Sequence, residues 1–267
     1  MNIKKHIPNT ITSLNLLCGC FAIVAAFNEQ LTWSAILIGF SAVFDFFDGL
    51  VARLLHVHSE IGKQLDSLAD VISFGLVPGI IMFQFISANL GDSNLPFQAR
   101  SLNHILLSSV AFIIPVLSAV RLAKFNIDPR QSDSFIGVPT PANAILIGSL
   151  VLIMDLQLDL DIYSGVFYSN QGSFAHLSFF ESLLATALYN PYVLCFISVI
   201  MSLLLVAEIP LFALKFKNLS WADNKIRFIF ILISAVLLLS LKLIALPIII
   251  VIYILLSIIN NFTSAKH

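Results

Sequence analysis

Charge is what this sequence has least of. Its 267 residues include 14 Lys and Arg and 15 Asp and Glu, 11% in all, whereas a soluble globular domain is nearer a quarter charged. There is no basic tract, and the formal net charge is −1, so nothing points to nucleic acid. Cysteine is scarce as well. Cys18, Cys20 and Cys195 all fall in apolar runs, which argues against a disulfide framework or a thiolate metal site and suits small packing residues. No internal repeat is evident. What is abundant is apolar surface: 58% of residues are hydrophobic, with a mean hydropathy of +0.96. The chain therefore reads as a polytopic, all-α membrane protein.

Eight apolar spans are expected, at about 10–28, 31–54, 66–89, 103–124, 140–157, 190–213, 225–240 and 243–261, each near the ~20 residues that cross a bilayer. The first follows Lys4 and Lys5 and superficially resembles a signal peptide. It is expected to remain, because the topology needs it. Pro139 and Pro141 suit the first turn of the fifth span. Pro210 and Pro247 are expected to kink or start helices. With both termini cytoplasmic, the positive-inside rule places twelve of the 14 cations inside: Lys4, Lys5, Arg53, Lys63, Arg121, Lys124, Arg130, Lys215, Lys217, Lys225, Arg227 and Lys266. Only Arg100 and Lys242 fall outside. A single transmembrane domain, 1–267, is expected, with a six-helix catalytic core at about 8–214 and two extra helices at about 225–261. A polar loop at roughly 55–65 would join the second and third spans. An outer loop at 160–188 would carry a short amphipathic stretch, Phe174 to Leu188.

Against this background one segment stands out. Asp45, Asp48, Asp66 and Asp70 fall within 26 residues, spaced i,i+3 and i,i+4, so each pair shares a helix face. A charge at membrane depth costs roughly 2.5–3.5 kcal/mol on insertion scales, so four together require a function. Hard carboxylate oxygens suit Mg²⁺ or Mn²⁺, and two such ions can clamp the attacking and leaving oxygens of a phosphoryl displacement. Gly49 and Gly62 allow close approach to a helix backbone, Ala52 keeps its turn small, and Arg53 is suited to phosphate. A proton relay or plain helix–helix polar contacts would explain the acids, but not the glycines and the Ala-Arg pair.

The run Asp45-x2-Asp48-Gly49-x2-Ala52-Arg53-x8-Gly62-x3-Asp66-x3-Asp70 resembles the signature of the CDP-alcohol phosphotransferases at every fixed position. The resemblance implies that Asp45, Asp48 and Asp66 bind two divalent ions. It also implies that Asp70 lies at the metal site and is the general base, and that Gly49, Ala52, Arg53 and Gly62 hold the cytidine nucleotide. Ile7-Pro8-Asn9 with Thr12, Asn15 and Leu16-Leu17-Cys18-Gly19 is similar to the branch of that family that makes phosphatidylserine. So are Gly62 to Asp70, Ser73-Phe74-Gly75, Arg121 to Asn126 and Gly137 to Asn143. Relatives using glycerol 3-phosphate or inositol phosphate often carry Arg where Asn15 stands. The implied partners are CDP-diacylglycerol, L-serine, CMP and membrane lipids, with a homodimer in the cell (inner) membrane and the active site at its cytoplasmic face.

Arg121 and Lys124, three apart at the end of the fourth span, read as a pocket for the serine carboxylate or a lipid phosphate, or else as interfacial anchors. Glu208 reads as a buried polar contact beside Pro210. His56 and His58 read as solvated. Two other readings stay open: the same chemistry with another acceptor alcohol, and an ion-coupled transporter whose acids line a path.

Overall fold

The computed structural model describes residues 6–57, 59–93, 95–128, 135–163, 177–212 and 220–264. Lys4, Lys5, His58, Arg130, Lys215, Lys217 and Lys266 lie outside them. The described chain is helical: α1 (His6–Phe27), α2 (Leu31–Leu54), α3 (Glu60–Asn89), α4 (Leu102–Ile127), α5 (Thr140–Gln157), a short α6 (Phe179–Leu188), α7 (Pro191–Val206), α8 (Trp221–Leu241) and α9 (Ala245–Ser264). The strand content of the described residues is one antiparallel pair, β1 (Phe135–Ile136) with β2 (Pro210–Leu211).

Local chemistry sets the helix ends. Ser59 caps α3 by accepting a hydrogen bond from Gly62 N, Asn190 caps α7 by accepting from Tyr192 N, and Pro191 fills the first helical position of α7. Ser178 and Glu181 form a reciprocal capping box on α6. The helix α3 is not uniform. Val71–Leu76 is π-helical, and Val77 N donates to Ile72 O across the widened turn.

α3 is the hub. Phe74, Val77, Ile81, Met82, Phe85 and Ile86 are fully buried, enclosed by α1, α2, α4, α5 and α7. The outward faces are apolar as well: Phe21, Phe40, Phe46, Leu106, Phe196 and Leu239 are all exposed. A bundle with apolar side chains on both its inside and its outside is one surrounded by lipid. Trp33 and Trp221 are exposed near helix ends, where interfacial anchors sit.

Six helical stretches are long and apolar enough to cross a membrane, and a seventh arises if α6 and α7, bent by 79°, form one span. One of the six is the 38-residue stretch Asn224–Asn261, which folds back on itself. The rings of Phe230 and Tyr253 lie 5.6 Å apart, whereas a straight helix would separate them by about 34 Å. The reversal is at Lys242, with φ 53° and ψ −122°. Gln157 staples it, donating to Leu241 O and accepting from Ile244 N.

Three expectations need correction. α3 begins at Glu60, six residues before the expected 66, because Ser59 is an effective cap, so the loop is short. The sixth span does not run to residue 213. It ends at Val206, and Pro210 lies in β2 rather than at a helix kink. Glu208 lies beyond that helix end and is exposed, not buried. Pro247 does fall in the first turn of α9.

Gly137 locks the β1–β2 connection. Its φ is +75°, and a Cβ there would lie 2.3 Å from Leu205 O. Both the backbone conformation and the space exclude a side chain. Gly137→Ala is expected to cost about 1–3 kcal/mol and lower the thermal midpoint of the detergent-solubilised protein. An unchanged midpoint would show that β1–β2 contributes nothing to stability.

Candidate active site

The second and third helices meet where their carboxylates meet. Asp45 and Asp48 lie in the last turns of α2, and Asp66 lies in the second turn of α3. Because α3 starts early, Gly62, Asp66 and Asp70 fall at four-residue steps along one face of a continuous helix. Oxygens of Asp45, Asp48 and Asp66 lie within 4.8 Å of one another. Two unscreened carboxylates at that distance repel by about 3–4 kcal/mol at an effective dielectric of 20. The arrangement therefore calls for a cation. Oxygens bound to one ion at about 2.1–2.4 Å can be up to about twice that distance apart, so the trio fits a hard divalent ion.

Asp48 is fixed from outside its own helix. Thr12 Oγ1 on α1 donates to Asp48 Oδ2 at 2.6 Å, which leaves the other oxygen for a ligand. Asp70 stands one turn further along α3, outside the trio. It is 8% exposed, and its Oδ1 accepts from Asn15 Nδ2 at 3.4 Å. Arg121 on α4 is 6% exposed, with its Nε unpartnered. Its guanidinium lies 5.7 Å from the Phe125 ring and within electrostatic reach of Asp70.

A cleft of about 260 Å³ opens beside the trio. Its walls are Asn9 and Thr12 from α1, Asp48, Gly49 and Ala52 from α2, and Ser59, Gly62, Lys63 and Asp66 around the start of α3. The two glycines have different reasons. A Cβ on Gly49 would meet nothing within 4 Å, so Gly49 keeps the cleft floor open, whereas a Cβ on Gly62 would lie 2.7 Å from Asn9 Oδ1. Gly62 thus leaves room for the Asn9 side chain of α1. Lys63 Nζ donates to Asn126 O, and Asn126 Nδ2 donates to Ser67 Oγ, which ties the start of α3 to the end of α4.

The candidate residues therefore divide. Asp45, Asp48 and Asp66 converge, Gly49, Ala52 and Gly62 line the cleft, and Asp70 and Arg121 are buried beside it. Arg53 is exposed and folds back on its own helix, Nε donating to Gly49 O at 3.0 Å. Lys124 is exposed, and neither it nor Arg53 lines the cleft. Sequence reasoning gave no role to Asn9, Thr12, Asn15 or Lys63. Asn9, Thr12 and Asn15 recur at every third position of α1 and so share a face, but Thr10 and Ser13 lie among them, so the spacing alone does not single them out.

This constellation of acids on two lipid-embedded helices has a counterpart among known proteins. A family model described as CDP-alcohol phosphatidyltransferase matches residues 5–186, and the chain belongs to that family. Similar proteins include one from Helicobacter pylori, 35% identical over 148 residues (55% of this chain, 57% of that one). One from Bacillus subtilis is 35% identical over 138 residues, covering 51% and 70%. One from Methanocaldococcus jannaschii is 35% identical over 141 residues, covering 53% and 58%. All three carry the name CDP-diacylglycerol–serine O-phosphatidyltransferase. The matched part of the chain spans little more than half the length of the Helicobacter protein, and the family match stops before α7, α8 and α9.

Removing the Thr12 hydroxyl releases Asp48. Thr12→Val is expected to raise the Mn²⁺ concentration for half-saturation by about 10-fold or more, read as binding to purified protein by electron paramagnetic resonance. Ser13→Ala, which removes only a hydroxyl bonded to Asn9 O, should leave it unchanged. Equal affinities for wild type and Thr12→Val would mean that Asp48 holds its place without α1.

Proposed function

We propose that this protein transfers the phosphatidyl group of CDP-diacylglycerol to the hydroxyl of L-serine, releasing phosphatidylserine and CMP. The observation that carries the reading is the carboxylate trio set beside a cleft, with a separate, buried carboxylate one turn away. Asp45, Asp48 and Asp66 would hold Mg²⁺ or Mn²⁺, two ions by family resemblance. Such ions, when bound, neutralise charge on a diphosphate. The protein's own groups do the rest. Asp70 accepts the proton of the serine hydroxyl. The serine oxygen bonds to the phosphorus bearing diacylglycerol, the bond from that phosphorus to the CMP oxygen breaks, and CMP takes the electron pair. Gly49 and Ala52 form the floor against which the nucleotide rests. Arg53, with Nε donating to Gly49 O, offers its terminal nitrogens to a phosphate. Arg121 pairs with the serine carboxylate, and Lys124, one turn further along α4, adds positive charge outside the cleft.

The same reading sets the protein in the inner membrane with eight crossings, both termini cytoplasmic, and the cleft at the cytoplasmic ends of α2 and α3. Arg53 near the end of α2, Lys63 at the start of α3, and Arg121 and Lys124 near the end of α4 are the cations that the positive-inside rule would set on that side. The reading also includes a homodimer and a single domain, with α8 and α9 added to a six-helix core. Acids gathered at one end of two helices suit chemistry on a lipid headgroup better than a path across the bilayer.

Purified protein supplied with CDP-diacylglycerol and Mn²⁺ is expected to release CMP with L-serine, and not with glycerol 3-phosphate or inositol phosphate. Asp70→Asn should lower the rate by about 10²–10⁴-fold. EDTA should abolish turnover, and added Mn²⁺ or Mg²⁺ should restore it. Release with another acceptor would move the acceptor assignment, and release with none from folded protein would overturn the transferase reading.

Replacing the guanidinium tests the carboxylate contact. Arg121→Lys is expected to raise KM for serine by about 10-fold or more while leaving KM for CDP-diacylglycerol within about twofold, since a point charge cannot reproduce a two-pronged guanidinium contact. An equal rise in both would place Arg121 on the donor instead.

A further inference from the structure

Asn15 is fully buried, at 0% exposure, in the middle of α1. It is held from two sides. Its backbone oxygen accepts from Ser41 Oγ on α2 at 3.2 Å and from Ser73 Oγ in the π-helical part of α3 at 3.1 Å. One turn on, Gly19 lies so close to α3 that a Cβ would fall 2.5 Å from Ser73 Oγ. Asn15 therefore cannot shift to seek partners. Its amide nitrogen donates to Asp70, and its Oδ1 is buried with no partner. The amide nitrogen thus faces Asp70, and the orphaned atom is the oxygen.

A buried acceptor without a donor is disfavoured unless a ligand supplies one. Two charged groups stand near it: Asp70, which it holds, and Arg121, within electrostatic reach of Asp70 and with its Nε unpartnered. Together they present a proton acceptor, a neutral carbonyl acceptor and a guanidinium. These three needs match the hydroxyl, ammonium and carboxylate that L-serine carries on adjacent carbons. Resting on the serine reading above, we propose that Asn15 Oδ1 receives the acceptor's ammonium group, while its amide nitrogen holds Asp70 toward the hydroxyl. Asn15 is then the residue that distinguishes an amino acid from an acceptor lacking nitrogen. Asn15 and Asp70 are 55 residues apart in sequence and meet only because α1 crosses α3.

The test compares L-serine with 3-hydroxypropanoate, which is serine without its ammonium, using CDP-diacylglycerol and Mn²⁺ throughout. Wild type is expected to favour serine in kcat/KM by about 10²-fold or more, since a site built around a hydrogen bond rejects an analogue that lacks it. Asn15→Leu should narrow the ratio to below about tenfold, mostly through serine KM. Asn15→Asp keeps an acceptor oxygen but loses the donor to Asp70, and should lower kcat while preserving the preference. If Asn15→Leu is not folded, Asn15→Ser replaces it, with the same expected narrowing. A ratio unchanged from wild type, with both acceptors slowed equally, would overturn the proposal and leave Asn15 as a positioning residue alone. Wild type that releases CMP with glycerol 3-phosphate but not with serine would overturn the serine reading, and this proposal with it. That result is visible without any variant.

Discussion

Everything near the cleft depends on bringing like charges together inside an apolar bundle. Three carboxylates within 4.8 Å repel one another, and Asp48 among them is buried. The fold opposes that repulsion by gripping the backbone. Among the described residues α1 packs along α2 more extensively than any other pair of elements, and it crosses α3 closely at Gly19. Polar side chains on α1 then reach the acids directly, Thr12 to Asp48 and Asn15 to Asp70. The N-terminal helix is thus the third side of the site, although it contributes no carboxylate.

The membrane makes much of this fold legible. An apolar solvent forces long apolar helices, so span positions follow from composition, and α2, α4, α5, α8 and α9 lie close to where hydropathy places them. Hydropathy fails where it is not the deciding force. The start of α3 is polar, and it is helical because Ser59 satisfies a free backbone N–H. Residues 207–211 are largely apolar, yet Pro210 has no N–H to donate and the segment pairs with β1 instead.

The candidate site divides in the same way. Convergence of Asp45, Asp48 and Asp66 was legible because helix periodicity fixes two of them and the signature supplies the third. Thr12 and Asn15 were not, because their partners lie 36 and 55 residues away and become neighbours only through helix crossing. Arg53 is a different case. Its place in the signature suggests a contact with nucleotide, but its side chain is bonded to its own helix.

The π-helical turn at Val71–Leu76 has a consequence for how this chain can vary. A π-turn fits one extra residue into the winding of a helix. It sits between the stretch of α3 that carries Asp66 and Asp70 and the stretch that carries Phe74, Ile81 and Phe85 into the core. Losing one residue there would let an ordinary α-helix form. It would leave the two stretches nearly in phase, because the widened turn already absorbs the extra residue, whereas a deletion in an α-helical part of α3 would turn them by about 100° and carry the acids off the face shared with α2. This six-residue segment is therefore the place in α3 where the loss of one residue does least to the alignment of site and core.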